Sequence, residues 1–342
     1  MELRVLRYFV TVAEEGHVTR AAERLGMQQP PLSQQIRSLE ARLGAALFKR
    51  HPKGVTLTDA GRALHGEAHR ILDAVAALEE RMQRIVRGLD GVLAVGLSSS
   101  VAAHAFTPRL LRCCRREYPG IDLRLSEANA AELIEGVAGG RLHCGLLRVP
   151  VARPPGLAFE SLLSEPAVLA LPIDHRLAAS YGANQVVPLH ALHGEPMILV
   201  RRPGAPGLYG NLLGLLDRHG VGVDVVAEVE RMMSNLNLVA SGAGITVVPA
   251  SMQGAHPRSV VYRSLPEHVE LEAPITLAYR RDDLHGATAT FLMLARRIAG
   301  SYRRTPRDPS AMARSDGAAR PALRRQARKV PLPSPSTRRR AP

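Results

Sequence analysis

Apolar residues recur at helical spacing through the first ninety positions and as short strand-like runs after that. Leu3, Leu6, Val10 and Ala13 share one helical face, Ala21, Ala22 and Leu25 supply a second, shorter one, and Leu32, Ile36, Leu39 and Leu43 form the stripe of a third. Gly26 separates the second from the third. In "RHPKGVTLT", Arg50 to Thr58, a Pro-Lys-Gly turn between two β-prone runs predicts a small wing. Thr58 is placed to cap a long helix reaching about Leu89, with Asp59 in its first turn. Within that helix Leu64, Ala68, Ile71, Val75, Leu78, Met82, Ile85 and Leu89 alternate spacings of four and three. Such a heptad seam predicts a coiled coil between two chains, the alternative being one helix lying on its own domain.

From Gly91 the texture changes. "VLAVGL", "IDLRLSE", "LHCGLL", "AVLAL", "MILV", "VDVVAEV", "GITVVP", "VVYRSL" and "ITLAYR" are apolar runs separated by amphipathic stretches such as Phe106 to Glu117 and Leu212 to Arg218. Strand and helix in alternation predict α/β layers with a largely parallel sheet, arranged either as one sheet or as two smaller lobes.

The stretch "QQPPLSQQIR", Gln28 to Arg37, carries the most specific chemistry. Proline suits a first helical turn, where backbone N–H groups have no intrahelical partner, so Pro30 and Pro31 mark the start of the third helix. With Leu32, Ile36, Leu39 and Leu43 facing inward, Ser33, Gln34 and Arg37 are expected to project from another side near the tip. Gln pairs with adenine, Arg with guanine, and Ser is permissive, which suits a helix end inserted in a major groove. Gln28 and Gln29 belong to the same tip. Thr19 and Arg20 at the start of the second helix, with Arg50 and Lys53 in the wing, would hold phosphates and set the register.

Charge distribution sharpens this picture. The formal net charge is +14, yet Arg303 to Pro342 holds twelve Lys and Arg against two Asp, and Met1 to Thr58 holds nine against five Glu. The large middle is close to neutral. The last forty residues, rich in Arg, Pro, Ala and Ser, lack aliphatic periodicity and read as a disordered basic tail. No apolar run approaches the roughly 20 residues of a membrane span, and the N-terminus lacks the unbroken apolar stretch of a secretion signal, so a cytoplasmic location without membrane association is expected. The three cysteines, Cys113, Cys114 and Cys144, read as small buried hydrophobes. The thirteen His fall in no zinc spacing, so no metal site and no cofactor are expected.

"FVTVAEEGHVTRAAERLGMQQPPLSQQIRSLEARLGAALFKR" followed by "GVTLTDAG" closely resembles the winged helix-turn-helix of LysR-type transcriptional regulators. "REYPGIDLRLSE", "GRLHCGLL" and "VASGAGITVVPAS" extend the resemblance more diffusely, and Glu228 to Ser251 is worded most like the branch that regulates degradation of aromatic compounds. The resemblance implies an α plus α/β fold. Residues 1–58 would form the winged helix-turn-helix, 59–90 the coiled-coil linker helix, 91–302 a two-lobed α/β effector domain of periplasmic-binding-protein type, and 303–342 the tail. Lobe crossovers are expected near 160–165 and 263–268. Such regulators assemble as homodimers or homotetramers, here with Leu64, Ile71, Val75, Leu78, Met82 and Ile85 along the dimer seam, bind double-stranded DNA at interrupted palindromes, and count RNA polymerase among their expected partners. Three positions depart from the family pattern: His17 stands for a serine cap, Ala130 for a hydroxyl residue of the ligand cleft, and His143 for the Asp of "GRLD".

In "GLSSSVAAHA", Ser98, Ser99 and Ser100 lie between a strand and a helix, where hydroxyls and exposed N–H groups favour an anion. Asn129, Arg148, Arg201 and Arg202 follow later strands and are expected on the same cleft, making a small carboxylate the natural effector. An enzyme is not expected. Lysine occurs only at Lys49, Lys53 and Lys329, so the middle lacks a Schiff-base residue, and it holds no Walker loop, nucleophile elbow or metal motif. The remaining alternative, a sequence-independent architectural DNA-binding protein, leaves a neutral 200-residue domain without a role.

Overall fold

The computed structural model describes residues 1–148, 153–200, 207–266, 269 and 271–304. Helices α1 (Leu3–Glu15), α2 (Val18–Arg24) and α3 (Gln29–Leu43) are followed by the antiparallel strands β1 (Phe48–His51) and β2 (Gly54–Leu57). Their apolar faces meet in one core containing Leu6, Phe9, Val12, Ala21, Leu32, Ile36 and Leu39. Leu3 and Leu43, expected in those stripes, are 40% and 43% exposed. Each is a terminal residue of its helix, where the facing helices no longer cover it. The wing is pinned to the α1–α2 turn by Val55 N–H donating to Gly16 O at 2.8 Å. That close approach requires glycine at position 54, whose φ is +135° and where a Cβ would collide with the Gly16 carbonyl.

The long helix α4 (Asp59–Val86) begins as its sequence predicts. Thr58 Oγ1 accepts from Gly61 N–H at 2.9 Å and donates to Ala46 O at 2.7 Å, so one hydroxyl both caps the helix and ties it to the loop before the wing. The heptad stripe, however, divides in two. Ala68 is buried in the helix-turn-helix core, and Leu64 and Leu72 pack against it, so Leu64 belongs to its own domain and not to an open seam. This position is within two turns of the cap, where α4 still lies against α1. Further along, Ile71, Leu78, Met82 and Val86 are exposed, while Val75 and Ile85 are half-buried. At the end of α4, Arg84 grips Asp90 through two hydrogen bonds of 2.7 and 2.9 Å, which hold the Asp90 carboxyl below its usual range.

The remaining elements alternate: β3 (Asp90–Leu97), α5 (Ser99–Ala102), α6 (Phe106–Glu117), β4 (Gly120–Glu127), α7 (Ala130–Ala138), β5 (Cys144–Leu147) and β6 (Leu157–Pro172). After these come α8 (Arg176–Ser180), β7 (Pro196–Val200), α9 (Gly207–Arg218), β8 (Asp224–Val229), α10 (Met232–Ala240), β9 (Thr246–Pro249), β10 (Val260–Ser264), β11 (Glu272–Arg280) and α11 (Gly286–Arg304). One sheet runs in the order β10-β6-β11-β5-β3-β4, with β9 also on β6, and β7 and β8 form a separate parallel pair.

The sheet is mixed, not largely parallel. Only β3 pairs parallel, with β4 and β5, whereas β11 is antiparallel to β5 and β6, and β6 is antiparallel to β9 and β10. Crossing strands are the cause. Residues 157–166 of β6 pair with β11 in the first lobe, and residues 167–172 pair with β9 and β10 in the second. A single strand therefore passes from one lobe to the other at about Pro166, and the chain returns between β10 and β11, where residues 267, 268 and 270 lie outside the described residues. Each lobe has its own core, Leu93, Val95, Phe106 and Phe291 in the first and Leu169, Met197, Leu199 and Val247 in the second. Cys114 and Cys144 are buried in the first core, and burial pushes both thiols up, away from the reactive thiolate. No helix among the described residues is long and apolar enough to cross a membrane. The tail from residue 305 onward lies outside the described residues.

Candidate nucleic-acid interface and ligand cleft

At the start of α3 the backbone of Gln28 is extended and its side chain makes no capping bond, so the N-terminal turn relies on Pro30 and Pro31 to remove donors that would otherwise lack partners. Around this tip Gln28, Gln29, Pro30, Pro31, Gln34 and Arg37 are exposed, as are Thr19 and Arg20 on α2 and Arg50 and Lys53 in the wing. Ser33 is the exception. It is 6% exposed, and its Oγ accepts from Gln29 Nε2 at 3.0 Å. One residue beyond Leu32 and three before Ile36, it falls on the buried flank of the helix, so it braces the tip and is not presented for base contact. Two of these cations are anchored to backbone carbonyls: Arg37 Nε donates to Ser33 O, one turn nearer the tip, at 3.3 Å, and Arg20 donates to Glu15 O at the end of α1 at 2.6 Å.

The second site lies between the lobes. Ser98, Ser99, Ser100, Glu127, Ala128, Asn129, Ala130, Ala131 and Arg148 line it from the first lobe, and Val200, Gly207, Leu208, Tyr209, Glu230, Arg231, Met232 and Pro249 from the second, around a space of about 150 Å³. Starts of α5, α7, α9 and α10 all face this space. Of the expected ligand residues, Ser98, Ser99, Ser100, Asn129 and Arg148 are brought together here, and Arg201 and Arg202 lie outside the described residues.

Arg148 is tied into a buried cluster. Its guanidinium pairs with Glu165 on β6 and donates to Ala273 O at 2.7 Å, Ser100 O at 2.9 Å and Ser251 Oγ at 3.1 Å. Glu165 in turn accepts from Ser251 N–H at 2.6 Å and from Ser251 Oγ at 2.8 Å. Burial pushes the Arg148 guanidinium down while Glu165 opposes that shift. The cluster joins the end of β5, the crossing segment of β6 and the turn after β9. It is a fixed hub at the base of the cleft. Even so, Arg148 Nε has no partner among the described residues, and neither have the buried atoms Ser98 Oγ and Asn129 Nδ2.

The wall from the second lobe is equally fixed. Tyr209 OH donates to Val247 O at 2.7 Å and receives Asn235 Nδ2 at 3.0 Å, and Asn235 also donates to Thr246 Oγ1 at 2.7 Å. This network ties the first turn of α9 to α10 and to β9.

Residues 3–62 match the family described as bacterial regulatory helix-turn-helix protein, lysR family, and residues 87–299 match the LysR substrate binding domain. The chain belongs to the LysR family. It is 35% identical to the transcriptional regulator AlsR of Bacillus subtilis, over 83% of this chain and 91% of that one. With the regulator TfdS of Cupriavidus pinatubonensis it shares 36% identity over 88% of this chain and 99% of the relative. The crystal structure of full-length CbnR in complex with its target DNA superposes with a TM-score of 0.73 at 29% identity, covering 87% of this chain and all of the other. Proteins of this family are transcriptional regulators with a DNA-binding head and an effector-binding domain, and this chain carries both.

The three departures from the LysR pattern have distinct outcomes. His17 is the N-cap of α2 and makes no side-chain cap bond, and its Nδ1 is buried without a partner among the described residues, so the missing serine is not replaced. His143 Nδ1 accepts from Ala94 N–H at 2.9 Å, so imidazole supplies an acceptor for a backbone donor as a carboxylate would. Ala130 begins α7 on the cleft wall and brings a methyl group to it. The sequence reading missed Glu165, Ser251, Tyr209 and Met232. A carboxylate inside the apolar run "LLSEPAVLAL" was the visible signal for Glu165; nothing local marks the others as neighbours of the cleft.

Proposed function

We propose that this LysR regulator reads its operator with the tip of α3 and is modulated by a small anionic effector bound between the lobes. The reading is carried by one observation: the α3 tip and its flanks expose Gln28, Gln34, Arg37, Thr19, Arg20, Arg50 and Lys53 together, while the opposite face of α3 is spent on the core. Gln34, which makes no side-chain bond among the described residues, and Arg37 address base edges, and the cations of α2 and the wing address phosphates. The CbnR complex with target DNA supports this assignment by likeness of fold. Ile71, Val75, Leu78, Met82 and Ile85 form the dimer seam, without Leu64, so two tips meet half-sites of an interrupted palindrome. The cleft's unpartnered donors favour an anion, and effector binding alters the lobe arrangement and thereby the dimer.

A gel-shift titration of the full-length protein on DNA from upstream of its own gene, against a scrambled duplex of equal length, tests the reading. The expected result is a retarded complex on the upstream DNA that survives scrambled competitor and weakens steeply with salt as counterions are released. Equal affinity for both duplexes would instead favour the architectural alternative.

A further inference from the structure

The wing is held from two sides, and the two attachments differ in kind. Toward α1 it is held by packing and backbone: the Phe48 ring of β1 lies 5.3 Å from the Phe9 ring, and Val55 N–H of β2 donates to Gly16 O at 2.8 Å. Toward α3 it is held by one carboxylate. Glu40 follows Ile36 by one helical turn, so it shares the inward edge of α3 and is half-buried there. Its Oε1 accepts from Leu47 N–H at 2.8 Å and from Phe48 N–H at 3.2 Å, at the entrance to β1. Among the described residues no other side chain of α3 hydrogen-bonds to this strand or its entrance.

Packing does not duplicate that link. A space of about 160 Å³ lies between the two elements, lined by Ile36 and Glu40 of α3, by Phe48 and Arg50 of β1 and by Val55 of β2. Close contact that would set the height of the wing over the helix is interrupted there, and two hydrogen bonds of fixed length take its place. The loop is also gripped from α4, where Thr58 N–H donates to Leu47 O at 2.9 Å and Thr58 Oγ1 to Ala46 O at 2.7 Å. The buried Leu47 thus ties α3 through its N–H and the start of α4 through its carbonyl. Arg50 and Lys53 follow along the strand and turn, both exposed. Phosphate contacts set register only when the cations that make them stand at a fixed place relative to the reading helix.

We infer that Glu40 is a positioning residue: its carboxylate fixes the wing over α3 and so brings Arg50 and Lys53 to the phosphates beside the groove that α3 enters. The inference rests on the tip and wing being the operator-facing surface. The test is a gel-shift titration of the full-length protein on the upstream DNA across a salt series. It compares the wild type, Glu40→Met, Glu40→Gln, the Arg50→Gln, Lys53→Gln double variant, and the triple variant that adds Glu40→Met to that pair. Methionine matches the length of glutamate but is only a weak acceptor, and glutamine keeps an oxygen. Each phosphate contact contributes about 0.9 to the slope of log affinity against log salt, so the double variant should lose about 2 per DNA-binding head. Glu40→Met should lose a similar amount, the triple variant no more than either, and Glu40→Gln should keep the wild-type slope. An unfolded fraction scales every affinity of one preparation alike and leaves its slope unchanged. Should Glu40→Met not fold, Glu40→Asp, which withdraws the acceptor by one methylene, takes its place with the same expected loss. A wild-type slope in Glu40→Met beside a reduced slope in the double variant would overturn the inference, as would losses that add in the triple variant or a Glu40→Gln slope as low as that of Glu40→Met. A wild-type slope in the double variant as well would overturn it together with the wing reading, which separates the two failures.

Discussion

The α3 tip and the inter-lobe cleft treat their polar groups in opposite ways. At the tip Gln28, Gln34 and Arg37 stand in water, where an unused donor or acceptor costs nothing, so the surface is stable without DNA and exchanges hydration for base contacts when it binds. In the cleft Ser98 Oγ, Asn129 Nδ2 and Arg148 Nε are withdrawn from water and have no partner among the described residues, each a penalty of about 1–3 kcal/mol by the usual cost of a buried unsatisfied group. A ligand that supplies the missing acceptors relieves that penalty. The polar groups of the tip thus carry no standing cost, whereas those of the cleft wall do.

Two substitutions sharpen the contrast. The largest effect is expected at the hub: Glu165→Ala strands the Arg148 guanidinium in a buried setting and should cost about 3–5 kcal/mol in urea denaturation, as loss of one partner from a buried ion pair does. A loss below about 1 kcal/mol would mean that the cleft is as well hydrated as the tip. Next comes His17, the N-cap of α2, whose Nδ1 is buried with no partner among the described residues. His17→Ser should restore the missing cap of α2 and raise stability by about 1 kcal/mol. A destabilised variant would show that the imidazole is packed to advantage.

Their legibility in sequence differs for the same physical reason. The tip is built from about forty contiguous residues whose helical phase follows directly from Leu32, Ile36 and Leu39, and Thr58 capped its helix as its position predicts. Phase alone still misplaced Ser33, because the buried arc of α3 is wide enough to include the neighbour of Leu32, and it misplaced Leu64, because a heptad stripe has the same spacing whether it faces a partner or its own domain. The cleft gathers five or more segments spread from Ser98 to Ala273. Ser98 to Ser100 and Asn129 stood out through their place after strands, but the pairing of Arg148 with Glu165 and Ser251 depends on where β6 crosses between lobes, which local pattern does not encode. The mixed sheet has the same origin: strand runs were visible, and their directions were set by the crossings.

The most direct measurement is nuclease footprinting of the upstream DNA with the wild type and the Gln34→Ala, Arg37→Ala double variant, alongside denaturation of both proteins. Both side chains are exposed, so stability should change by less than about 0.5 kcal/mol. At about 1–3 kcal/mol for each lost base contact, occupancy of the protected tract should fall by about tenfold or more, while affinity for scrambled DNA stays close to that of the wild type. A footprint of unchanged position and midpoint in the double variant would contradict the account.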